Sequence, residues 1–283
     1  MSVGASIWPV AEVVIFDCDS TLSAVEGIDE IARLTGSESH VAALTKSAMD
    51  GEIALEHVYD HRLDRSNPTR EQVSFIRDIY RENVIPDAPD VIAALRELGV
   101  AVFIVSGGLI EPVRDFGMWL HVPREHIFAV DMQYDQLSGQ WWRYWEQPGG
   151  KNPRANYLAV DSNPLTATGG KNVLIDRIRA LHPGRAMLVG DGLSDLEASG
   201  HVDLFVGFGG AVYRQRVAAG SPVYINTPHL APILPLALGK LADVTPWRRL
   251  FSAGVRMVER GEVVFRKNRM KERLLDVVER KSG

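Results

Sequence analysis

Five short runs rich in β-branched residues, at 13–16, 101–105, 186–189, 204–206 and 223–225, are separated by longer stretches of helical period. Runs this short and this apolar read as strands buried on both faces. Strands that alternate with helices predict a doubly wound α/β fold, a parallel sheet covered by helices on its faces. Ligands in such sheets sit outside the carboxyl ends of the strands. Two of the runs end directly at acidic residues, one before Asp17 and one just short of Asp191, so side chains far apart in sequence are expected to converge at one edge.

Between the first two runs lie about eighty residues with no strand signal, too many for a structureless loop in a compact domain. Ile28, Ile31 and Leu34 form an apolar face closed by Gly36, and Leu55, Val58, Tyr59 and Leu63 form a second at helical spacing. Thr69 with Gln72 fits a capping box ahead of Val73, Ile76 and Ile79. Residues 23–88 therefore read as a helical cap inserted after the first strand. Residues 1–22 and 89–283 form the core, with a C-terminal extension over about 241–283 and a helix at 91–98, ended by Gly99, leading into the second strand. The pattern loosens over 131–170. There a hairpin around 137–140 precedes Trp141, Trp142, Tyr144 and Trp145, which read as plain packing ahead of an interface or a substrate lid.

A net charge of -5 and a pI near 5.9 argue against a general nucleic-acid binder. The apolar run at 230–241 is broken by Pro232, Pro235 and Lys240, so no membrane span is expected. The first nine residues lack the basic flank and apolar stretch of a signal peptide, and Cys18 alone can form no intramolecular disulfide. A cytoplasmic protein is expected. The segment 241–283 carries a net charge of roughly +5. It reads as a solvated terminal helix or as an oligomer contact, and a homodimer through it or through the cap stays open.

Asp17-Cys18-Asp19-Ser20-Thr21 follows a strand, which aims its acidic side chains out of the sheet edge. Taken alone it is also an acceptable Asp-rich, helix-capping turn. Gly190-Asp191-Gly192-Leu193-Ser194-Asp195 brings two more carboxylates to the end of another strand. Hard oxygen ligands of this kind suit Mg²⁺, whereas Zn²⁺ would want a cluster of Cys or His. His57 and His61 have the i, i+4 spacing of a ligand pair but lack the adjoining Glu of a metalloprotease motif. Ser106-Gly107-Gly108 supplies a hydroxyl and backbone N–H groups for phosphate oxygens, and Lys171, after Gly169-Gly170, supplies a cation. Each is weak alone. None completes a P-loop or a dinucleotide fingerprint.

In order, however, Asp-x-Asp, Ser-Gly-Gly, Lys and Gly-Asp-Gly-x-x-Asp resemble the haloacid dehalogenase superfamily and, within it, the eukaryotic-type phosphoserine phosphatases. The resemblance runs over residues 13–225 and takes in Glu26-Gly27-Ile28-Asp29-Glu30, Ala48-Met49 and Gly207-Phe208-Gly209-Gly210. It implies a Mg²⁺-dependent phosphomonoesterase acting on O-phospho-L-serine through an aspartyl-phosphate. Asp17 would be the nucleophile and Asp19 the general acid and then base. Mg²⁺ would be held by Asp17, the backbone carbonyl of Asp19 and Asp191, with Asp195 supporting them from behind. Ser106, Gly107 and Lys171 would bind the phosphoryl group. Glu26 would meet the substrate ammonium, Arg62 its carboxylate, and Met49 would form an apolar wall. Ser194 stands where many bacterial members have Asn and others Thr, which suggests a hydroxyl contact to substrate or phosphate. Residues 141–168 are longer and more aromatic than the family's hairpin, and the chain after Leu230 has no counterpart in the resemblance.

The main alternative is a related phosphatase for another small phosphorylated amine, amino acid or sugar. Dehalogenases need no acid two residues after the nucleophile, and transport ATPases carry Thr there together with membrane spans. Asp19 argues against both. A catalytically inert binding scaffold is disfavoured by the full set of acidic and basic groups.

Overall fold

The computed structural model describes residues 8–49, 55–138, 141–146, 152–161, 163–240 and 246–279. The first strand, β1 (Val13–Phe16), is buried along its whole length. Its side chains alternate between two apolar layers, Val14 and Phe16 facing one and Val13 and Ile15 the other. A strand covered on both faces has no polar side to show, which is why its sequence is a continuous apolar run.

Four helices follow it: α1 (Gly27–Thr35), α2 (Glu38–Met49), α3 (Leu55–Ser66) and α4 (Arg70–Glu82). The capping box at the start of α4 is formed in both directions, Thr69 N–H donating to Gln72 Oε1 (2.9 Å) and Gln72 N–H to Thr69 Oγ1 (3.3 Å). Val73, Ile76 and Ile79 are buried as their spacing requires. α5 (Ala88–Glu97) then leads into β2 (Ala101–Leu109), and α6 (Ile110–Trp119) into β3 (Ile127–Val130).

A small antiparallel pair, β4 (Met132–Tyr134) with β5 (Tyr157–Val160), stands apart from the main sheet. It touches the start of α4, where Tyr157 N–H donates to the Pro68 carbonyl and Arg70 N–H to that of Ala155. Two of the four residues of the expected hairpin at 137–140 lie outside the described residues. The packing expected for the aromatic run is overturned where the side chains are described: Trp142 and Trp145 are 51% and 66% exposed. They stand on the connection between β4 and β5, which carries them away from the core.

The chain returns through α7 (Gly170–Leu181), β6 (Ala186–Gly190), α8 (Leu193–Glu197), β7 (Leu204–Phe208), α9 (Gln215–Gly220) and β8 (Val223–Ile225). It closes with α10 (Ile233–Leu238), α11 (Arg248–Glu259), β9 (Val263–Phe265) and α12 (Asn268–Glu279). The seven-stranded sheet has the order β3-β2-β1-β6-β7-β8-β9, parallel except for β9, which pairs antiparallel with β8. The solvated terminal helix expected at the C-terminus is corrected by this arrangement. α10 is wholly buried, and Phe251, Val258, Val263, Phe265 and Leu274 pack into the core, so the segment completes the sheet edge and its cover.

The chain leaves β1 toward β2 and β3 on one side and later crosses to β6 on the other. That reversal opens a crevice at the carboxyl edge beside β1. Asp17, Ser106 and Asp191 all lie at this edge.

Candidate active site

Asp17 is the first residue beyond β1, still tied to the sheet by its N–H on the Val189 carbonyl (2.9 Å). Its Oδ1 accepts the Cys18 N–H at 2.7 Å, and its Oδ2 lies 2.6 Å from Lys171 Nζ. The chain then turns tightly, with the Cys18 carbonyl accepting from the N–H groups of Leu22 and Ser23 and with Ser20 in the left-handed region at φ 51°. Ser20 is no glycine, so the turn is held against a backbone preference. Its hydroxyl donates to Glu26 Oε1 at 2.8 Å and ties the turn to the start of α1.

Asp191 follows the neighbouring strand β6 directly, and Asp195 stands in the short helix α8 behind it. A Cβ on Gly190 would sit 2.3 Å from Asp195 Cγ, so glycine is what lets this carboxylate lie against the strand end. The carboxylates of Asp17, Asp191 and Asp195 offer oxygens within 4.8 Å of one another, among the described residues the one acidic cluster able to hold a metal ion. Lys171, in the first turn of α7, reaches back to donate to Asp17 Oδ2 and Asp195 Oδ1, both at 2.6 Å. Desolvation alone would pull its pKa down; the two carboxylates outweigh that and hold it above the ordinary lysine value.

Asp19 points elsewhere. Its Oδ1 accepts the Gly27 N–H (2.7 Å) and the Tyr80 hydroxyl (2.6 Å), and its Oδ2 lies 3.4 Å from Ser106 Oγ. Burial, opposed by these donors and assisted by Asp17, pushes its pKa up to about 6. Burial likewise pushes Asp191 up to about 6, with Asp17 adding to it, and Glu26 up to about 7, with Asp19 adding to it. Burial also pushes the Tyr80 hydroxyl well up, so it is a donor throughout the physiological range.

A cavity of about 240 Å³ is lined by Asp17, Asp19, Glu26, Gly107, Lys171 and Asp191, and also reaches Arg62, Ser194 and Arg214. The structure thus gathers the sequence-derived residues at one crevice, apart from Met49, which lies on α2 but whose side chain is outside the described residues, as is that of His57. His61 is exposed on α3. Ser106 is fully buried, its Oγ accepting the Gly108 N–H at 3.0 Å.

Two residues that sequence reasoning passed over belong to the site. Arg214, which caps α9, donates from Nε to Asp191 Oδ2 (2.8 Å) and from its terminal nitrogen to Glu26 Oε1 (2.9 Å). The available signal was its place shortly after the Gly207-Phe208-Gly209-Gly210 turn at a strand end. Tyr80 sits in the last turns of α4, where it reads as one more core residue.

Five carboxylates, Asp17, Asp19, Glu26, Asp191 and Asp195, face three cations, Lys171, Arg62 and Arg214, around this crevice. The donors are all hard oxygen, and the excess is negative, which fits a divalent cation. A carboxylate at a strand end, a second acid two residues on, and buried N–H and ammonium donors are the parts needed for phosphoryl transfer to a side chain.

No protein-family model matches the chain. It is 32% identical to phosphoserine phosphatase from Bos taurus, over 76% of this chain and 89% of that one. It is 32% identical to the chloroplastic phosphoserine phosphatase of Arabidopsis thaliana, over 76% of this chain and 68% of that one. Among solved structures, one described as a phospho-aspartyl intermediate analogue of phosphoserine phosphatase superposes with a TM-score of 0.64 at 23% identity, covering 80% of this chain and 98% of that one.

Proposed function

We propose that this chain, which belongs to the phosphoserine phosphatase family of the haloacid dehalogenase superfamily, hydrolyses O-phospho-L-serine to L-serine and phosphate through an aspartyl-phosphate on Asp17. The observation that carries this reading is the pairing of Asp17 Oδ2 with Lys171 Nζ at 2.6 Å, beside an Asp19 held apart by its own donors. A carboxylate repels a phosphate dianion, so attack requires the dianion's charge to be met first, here by Lys171, the Ser106 hydroxyl and the backbone N–H at Gly107.

In the first half-reaction Asp17 attacks phosphorus, the bond from phosphorus to the seryl oxygen breaks, and Asp19 gives its proton to that oxygen. In the second, Asp19 takes a proton from water as the water attacks phosphorus. The bond to Asp17 then breaks and phosphate leaves. A carboxyl pushed up to about 6 is well matched to both duties near neutral pH. A divalent cation, in this reading Mg²⁺ held by Asp17, the Asp19 carbonyl and Asp191 and supported by Asp195, supplies charge to the phosphoryl oxygens.

Glu26 is the partner for the substrate ammonium. Arg62, joined by Arg214, is the partner for its carboxylate, and the place of Ser194 in the cavity lining supports a contact from its hydroxyl to substrate or phosphate. For Met49 the resemblance to the family implies an apolar wall. In this reading residues 23–88 act as the cap over a core of 1–22 and 89–283, sealing the crevice against water during transfer. A cytoplasmic setting is in keeping with a single, buried cysteine. A homodimer through the C-terminal elements would have to use their outer, Arg- and Lys-rich faces, since their apolar faces are packed inward.

A second reading, another small phosphorylated amine or sugar, is favoured by one observation. Among the described residues the crevice adjoins a larger space of about 730 Å³ bounded by Ile28, Arg33, Val41 and Arg62. A phosphate-release panel with Mg²⁺ decides between them. Phosphoserine should exceed phosphothreonine, phosphoethanolamine and sugar phosphates by at least about tenfold in kcat/KM. Arg62→Ala should remove most of the preference over phosphoethanolamine and sugar phosphates, which lack the carboxylate. Equal rates on all four would contradict the assignment.

A further inference from the structure

Tyr80 is fully buried, and its ring packs against Phe116 at a centroid distance of 5.4 Å. Its position in the apolar stripe of α4, with Val73 and Ile76, would be filled equally well by Phe or Leu if packing were its whole task. The hydroxyl is instead spent on a single atom. Asp19 Oδ1 accepts it at 2.6 Å and the Gly27 N–H at 2.7 Å. A Cβ at position 27 would lie 2.2 Å from that hydroxyl, so the glycine opening α1 is what admits it to Asp19. Asp19 Oδ2 is left on the side of Ser106 and Gly108, where the crevice lies, with Ser106 Oγ at 3.4 Å.

We propose that Tyr80 is a positioning residue for the phosphatase reaction: with the Gly27 amide it saturates Asp19 Oδ1, fixing the carboxyl so that Oδ2 carries the proton to and from the reacting oxygens. Both donors belong to the inserted helices, one from the first residue of α1 and one from the last turns of α4. The orientation of an acid on the core is thereby set from the cap. A short hydrogen bond to a carboxylate is among the stronger ones, and a second donor on the same oxygen opposes the rotation about the Cβ–Cγ bond that would exchange the two oxygens.

The inference rests on Asp19 acting as acid and base, so the test separates the two. Tyr80→Phe keeps the ring on Phe116 and removes only the hydroxyl. kcat/KM reports steps up to phosphoryl transfer to Asp17, where the seryl oxygen needs a proton and 4-nitrophenolate does not. Tyr80→Phe should lower kcat/KM for phosphoserine roughly tenfold or more, and for 4-nitrophenyl phosphate less than about threefold. Asp19→Asn serves as reference and should show the same selectivity, enlarged. Equal losses on both esters in Tyr80→Phe, or none on either, while Asp19→Asn remains selective, would overturn the role of Tyr80 alone. An Asp19→Asn variant without selectivity would overturn the acid role of Asp19 and the Tyr80 proposal with it. Melting curves of the folded variants fix a common assay temperature below both transitions.

Discussion

Asp191 accepts Arg214 Nε on one oxygen and the Thr21 hydroxyl on the other, yet burial and the nearby Asp17 still push its pKa up to about 6. Asp19 reaches the same value. Both begin near 3.8 in the unfolded chain, so between about pH 4 and about pH 6 the native state keeps protons that the unfolded state has released. With more protons bound in the native state, stability from these groups is present at low pH and lost as pH rises through that window. A divalent cation needs the ionised carboxylates and reverses the trend. Melting temperatures should therefore rise more on adding Mg²⁺ at about pH 7.5 than at about pH 5, and Asp191→Asn should abolish the difference. An equal increment at both pH values would contradict it. The acidic residues were legible because strand ends advertise them. Arg214 and Tyr80 were not, since one opens a short helix with no periodic signal and the other pairs with Asp19 across 61 positions of sequence.

At the scale of elements, α11, β9 and α12 bind to the sheet through Phe251, Val258, Val263, Phe265 and Leu274. Burial of such side chains is worth roughly 1.5–3 kcal/mol each, which together rivals the net stability of about 5–15 kcal/mol typical of a whole domain. A chain ending at Lys240 should therefore lose its cooperative melting transition and its solubility. An unchanged melting curve would restore the reading of this segment as a solvated tail. The sequence pattern hid the role because β9 is only three residues long and its middle residue, Val264, faces outward at 53% exposure. The same shortness hid β4. By contrast the capping box of α4 and the apolar run of β1 are local signals, complete within a few residues, and both appear where they were expected.

For the molecule as a whole, the order of the sheet does most to make a site. Placing β1 between β2 and β6 brings the Asp17 turn, the Ser106 turn and the Asp191 turn to one edge, where Glu26 and Arg62 line the same cavity and Tyr80 reaches Asp19. The parallel core was readable from alternation alone; the antiparallel β9 edge and the contact of β5 with the start of α4 depend on long-range pairing that no short window contains. The proposed reaction passes through a covalent bond to one side chain. Rapid acid quenching during turnover of phosphoserine with Mg²⁺, followed by mass spectrometry of the peptide that contains residue 17, should find one phosphoryl group on Asp17, and none in Asp17→Asn, which should be folded and inactive. Full turnover by Asp17→Asn, or a phosphoryl group found on a different residue, would contradict it.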